Sequence, residues 1–126
     1  MELRDFAEQV LFARTLEEKL HRPDAVTDDR PGPAIPVPAA PGRPAELHFK
    51  RTRSERTDFP GADRLEHERE RGQLLHFFAN HELLATELMA LVLLRFPEAP
   101  TDFRRGVFNT LKAVAKLVLT ELKRGR

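Results

Sequence analysis

"FFANHELLATELMALVLLRF", residues 77–96, is apolar on almost every side of a helix yet holds two carboxylates, Glu82 and Glu87, and a histidine, His81. A helix of this kind is enclosed by neighbours. Burying an unpaired charge costs several kcal/mol, so the two acids either bind something in a helical core or face water. The most apolar part, Leu83 to Phe96, is interrupted by Thr86, Glu87 and Arg95 and falls short of the ~20 apolar residues of a membrane span.

Working outward, the pattern predicts helix from Asp63 to Phe96, about 50 Å if continuous at ~1.5 Å per residue. Asp63 is a cap candidate, and Glu66 gives capping-box-like spacing. Gly72 costs ~1 kcal/mol relative to alanine and marks a potential bend. "RLEHERER" reads as a charged, exposed extension. "PEAPTD", residues 97–102, then links this helix to a second from Phe103 to about Lys123, with Thr101 or Asp102 as its cap. Val107, Leu111, Val114, Val118 and Leu122 give that helix one apolar stripe. Links this short join antiparallel helices.

At the other end, Leu3, Phe6, Val10 and Ala13 make another stripe, and "TLEE" at Thr15–Glu18 has the capping-box pattern for a short second helix ending before Pro23. Residues 31–44, "PGPAIPVPAAPGRP", hold six of the ten prolines and should be extended and polyproline-like. "PAIP" and "PAAP" match the minimal PxxP pattern, but the favoured role is a spacer or surface-hugging strap. "KRTRSER", residues 50–56, reads as a solvated basic loop. The expected architecture is all-α: an N-terminal helical segment (1–22), a proline-rich and basic extended linker (23–62) and a long antiparallel helical hairpin (63–126).

The totals exclude several classes. With 126 residues the expectation is one domain, and 21 Lys+Arg against 20 Asp+Glu give a net charge of +1, no general pull toward nucleic acid or anionic lipid. Cysteine is absent, which removes disulfides and thiolate metal sites. "MELRDFAEQV" has no apolar core of a secretory signal, so a cytoplasmic location is expected.

About a hairpin midpoint near Glu98, residue 82 lies 16 positions before and residue 114 lies 16 after, so the two should stand at one height. A Glu on one helix facing a Glu-x-x-His pair on the next is half of a di-iron carboxylate site, and carboxylate with imidazole suits iron or manganese.

"RGQLLHFFANHELLATELMALVLLRFPEAPTDFRRG", with the opening "MELRDFAEQVLFARTLEEKL" and "RPGPAIPVPAAPGRPAEL", resembles a ferritin-like family catalogued as domain of unknown function 455, over residues 1 to about 111. The resemblance implies a ferritin-like bundle with Glu82 in the first-helix metal-ligand position; Glu87 is the less favoured candidate. It also implies Glu and His at positions 114 and 117, where Val114 and Leu117 stand, and two further helices beyond "KAVAKLVLTELKRGR". Glu121, two turns past Val114, is expected to lie too far along the axis to share a metal with Glu82.

Glu82 is therefore the sole metal candidate, a vestigial one, and no catalytic or cofactor-binding residue is proposed. Glu87 lies five positions on, roughly 140° around the helix, and is expected on a solvated face with His76 and Asn80. "HELLA" lacks the second histidine of a zinc-protease helix, since Ala85 stands there. His21, His48 and His67 sit in polar surroundings, and His76 is expected to bond locally. Seven cations from Arg104 to Arg126 against Glu121 leave a net of +6, read as the polar face of a bundle helix.

The favoured function is a shortened, non-catalytic ferritin-like protein acting through self-association, a homodimer, because one partner helix cannot cover so apolar a long helix. No cofactor, nucleic acid or membrane is expected. One alternative is a di-iron oxidase or hydroxylase whose iron or manganese site is completed in trans, with a full-length ferritin-like partner. Another is binding of an anionic surface through the basic C-terminal helix.

Overall fold

The structure, a computed structural model, describes residues 1–45 and 68–124. The expected features at Asp63, Glu66, His48 and His67, the basic loop 50–56, and the side chain of His76 lie outside what it describes. Within it the chain is all-α, as the sequence predicts, with helices α1 (Leu3–Phe12), α2 (Leu16–Lys19), α3 (Glu68–Arg95) and α4 (Thr101–Arg124). Gly72 sits inside α3 without interrupting it.

Helix α1 buries Leu3, Phe6, Ala7, Val10 and Leu11 on one side, the period-3.6 stripe read from the sequence. Its first turn lacks a side-chain cap. Instead the amide of Leu3 donates to the Thr27 carbonyl at 2.7 Å and that of Thr27 to Met1 at 3.0 Å, so an isolated bridge holds the helix start. The Glu2 carboxylate accepts from the Thr27 hydroxyl and from the Arg30 amide at 2.6 Å. These bonds, the Thr27 hydroxyl foremost, hold the Glu2 carboxyl below the usual range. At α2 the capping box forms: the Thr15 hydroxyl accepts from the Glu18 amide at 3.3 Å and bonds its carboxylate at 3.1 Å.

The long helices α3 and α4 pack against each other as a hairpin, and α1 lies on α3. One core cluster joins α1 to Ala90, Leu93 and Leu94 of α3 and Phe108 and Leu111 of α4. At its centre the rings of Phe6 and Phe108 meet edge to face, 5.3 Å apart, the arrangement their quadrupoles favour. A second cluster joins Leu20, Ala79, Leu83, Ala115 and Val118.

The hairpin turn is set by Arg104. Its guanidinium donates to the carbonyls of Leu93 (2.8 Å) and Phe96 (3.1 Å) and makes a two-point contact with Asp28 at 2.7 and 3.1 Å. Carbonyls at the C-terminal end of α3, which have no partner within the helix, are thus capped by a cation, with a charge sign that suits the helix dipole.

The proline-rich segment runs across this body. The Ile35 amide donates to the Leu94 carbonyl at 3.2 Å, and Arg95 returns a bond to the Ile35 carbonyl at 2.7 Å. At the far end the Gly42 amide donates to the Leu11 carbonyl at 2.9 Å. A Cβ at Gly42 would lie 1.9 Å from the Phe12 carbonyl oxygen, so only glycine permits this approach. Gly32, at φ 71°, takes the left-handed turn that brings the Pro31 and Pro33 carbonyls to the Arg4 guanidinium, each at 2.8 Å.

Candidate functional site

Glu82 and Glu87 of α3 have different surroundings, and neither matches the expectation drawn from spacing. Glu87 is 2 % exposed; it does not share a solvated face. Its carboxylate accepts from the Lys19 ammonium at 2.8 Å and from Arg43 Nε at 3.1 Å, with a further Arg43 Nη2 bond. Asn80, half-buried, accepts from Arg43 Nη1. Counting along α3 could not reveal these cations, because they arrive from α2 and from the strap.

Lys19 is fully buried. Its ammonium has three protons and three acceptors: Glu87, the Val10 carbonyl at 2.6 Å and the Leu11 carbonyl at 3.3 Å. Burial pushes the Lys19 pKa down, and the Glu87 carboxylate partly opposes this. The trio ties α1, α2, α3 and the strap together, and each of these bonds serves the fold. Lys19 and Arg43 are functional-looking residues that spacing alone did not single out. The available signals were Lys19 on the apolar side of α2, between Leu16 and Leu20, and Arg43 between Gly42 and Pro44 at the strap's end.

Glu82 is half-buried, and its carboxyl meets that of Glu121 on α4. The expectation that Glu121 stands too far away is therefore corrected. The reason is side-chain direction: each helical side chain leans toward its own N-terminus. In antiparallel helices Glu82 leans away from the turn and Glu121 toward it, which shortens the two-turn offset counted along the sequence. Nor do Val114 and Leu117 both look at Glu82, for Leu117 is 52 % exposed.

One oxygen of each carboxyl in this pair, Glu82 Oε2 and Glu121 Oε2, is buried without a hydrogen-bond partner. Burial, and then the neighbouring Glu121, push the Glu82 carboxyl above the usual range. Such a pair can share a proton. It fits a di-iron centre poorly: among the described residues no group of three or more His, Asp or Glu could hold a metal ion, whereas such a centre takes Glu-x-x-His pairs. His81, on the same turn of α3, is exposed.

A cleft of about 250 Å³ lies between loop residues Asp24–Asp28 and the first turns of α4, floored by Leu3, Val26 and Phe108. It is smaller than the ~300 Å³ at which small-molecule pockets begin. Of the basic residues of α4, Arg104 is committed to Asp28 and Lys112 to the Pro23 carbonyl at 2.9 Å, its ammonium 4.7 Å from the Phe108 ring centre. No helix among the described residues is long and apolar enough to cross a membrane.

A helical hairpin braced by an N-terminal helix and a buried ion trio defines the fold. Comparison with known families matches residues 3–116 to the family described as "Protein of unknown function (DUF455)". The chain belongs to that family. No curated protein and no solved structure matches it.

Proposed function

We propose that this protein is a ferritin-like helical module that acts without catalysis, through association of two hairpins into a four-helix bundle. The observation that carries this reading is an exposed apolar edge on each long helix. Leu88 is 53 % exposed on α3 and Leu117 is 52 % exposed on α4, each about 200° around its helix from the core residues Ala90 and Ala115. On α4 Phe103, 53 % exposed, stands on the same edge two heptads before Leu117, with the exposed Thr110 between them. Sedimentation equilibrium at micromolar concentration tests it: the wild type runs as a dimer, and Leu88→Lys with Leu117→Lys runs as a folded monomer. A monomeric wild type overturns the reading.

A second reading, a di-iron carboxylate enzyme completed by another chain, is supported by the buried unpartnered oxygens of Glu82 and Glu121. Its test is elemental analysis after purification from iron-supplemented cells. Stoichiometric iron in the wild type, lost in Glu82→Ala, replaces the non-catalytic reading.

A further inference from the structure

Burial along the strap repeats every third residue. Ile35, Pro38 and Pro41 are half-buried, while Pro33 and Ala34, Pro36 and Val37, and Ala39 and Ala40 are exposed. Three residues per turn is the period of a polyproline II helix. One edge therefore lies on the protein body and two edges face outward. The outward edges hold Pro33 and Pro36, spaced as in PxxP, with Val37 beside them at 64 % exposure, the highest of any large apolar side chain among the described residues.

The segment is also held in place. Arg4 binds the Pro31 and Pro33 carbonyls, Leu94 and Arg95 bind Ile35 from both sides, and Gly42 is locked against Leu11. These anchors use carbonyls and amides on the body side, and they remove most of the ordering entropy that a free proline-rich peptide pays on binding. A plain spacer has no need of an exposed valine beside paired proline rings. Nor does it need tethers in its middle.

We infer that residues 33–37 are a preshaped ligand for a partner protein whose groove is lined by stacked aromatic side chains. Flat proline rings and a short branched side chain at threefold spacing fit such ridges, the mode by which PxxP segments are recognised. The chain's aromatic residues are nine phenylalanines with no Trp or Tyr, so it lacks the ring N–H and hydroxyl donors that such grooves direct at proline-rich carbonyls, and the partner proposed is a different protein. The surface is distinct from the hairpin edges proposed for self-association.

The lack of Trp also supplies the assay. Purified SH3 and WW domains serve as probes, and tryptophan emission during titration with the full-length chain reports their grooves alone. The expected result is a saturable change with at least one probe. Pro36→Ala and, separately, Val37→Arg each weaken it at least tenfold while circular dichroism and melting temperature stay at wild-type values. Both positions are exposed, so folding and docking are read apart. Absence of saturation with both probes, or unchanged affinity in both folded variants, overturns the proposal.

Discussion

The Lys19 ammonium sits 2.8 Å from the Glu87 carboxylate, so a four-residue helix is bonded to the middle of a 28-residue one. Both groups are out of water, and Arg43 brings a second buried cation to the same carboxylate.

Removing the acid takes the Glu87 countercharge from two buried cations. Glu87→Ala is expected to lower unfolding free energy by about 3–5 kcal/mol, measured by urea denaturation. Replacing Lys19, Arg43 and Glu87 together with methionine or leucine is expected to recover most of that loss, since hydrophobic substitutes for a buried ion cluster are often neutral or better. A triple variant as unstable as Glu87→Ala would show that the charges themselves hold the segments in register.

Glu82 gives a dependence on pH. Its folded-state pKa is raised, first by burial and then by Glu121. The protonated form is therefore favoured on folding: that contribution is full below the ordinary carboxylate range and is lost as pH rises through the raised value. Glu82→Gln cannot ionise, so it should melt a few degrees above wild type at neutral pH, with the gap closing below the ordinary carboxylate range. Melting curves from acid to neutral pH check this; a constant gap would count against it.

Gly42→Ala should lower stability by about 1–3 kcal/mol, the cost of forcing an atom into packed space, because its Cβ meets the Phe12 carbonyl rather than a mobile side chain. Amide exchange should then rise at Leu11's partner, Gly42 itself, and at Ile35 if the strap lifts as a unit.

Arg104→Lys retains the charge but not the fork that serves Asp28 and two carbonyls at once. We expect a loss of at least about 1 kcal/mol in urea denaturation, matching one unsatisfied buried group or more. Asp28→Asn should cost less, since the carbonyl bonds survive.

How far the sequence could be read follows from the range of each signal. Helices α1, α2 and α4 were legible because the stripe of Leu3, Phe6 and Val10, the Thr15–Glu18 box and the Leu111–Val118 stripe are local patterns. The partners of Glu87 were not, because Lys19 lies 68 residues and Arg43 lies 44 residues away in sequence. The Glu82–Glu121 meeting is not legible for a different reason: spacing along the chain gives backbone height, whereas the opposite lean of the two side chains brings the carboxyls together.

The bonds anchoring the first 45 residues run to positions far downstream, 76 residues on from Asp28 to Arg104 and 89 from Pro23 to Lys112. As the ribosome releases the chain, these two bonds can close only after the first half of α4 emerges. Contacts of such long range make assembly slow. Until then, the strap and the stripe of Leu3, Phe6 and Val10 stand open to chaperones.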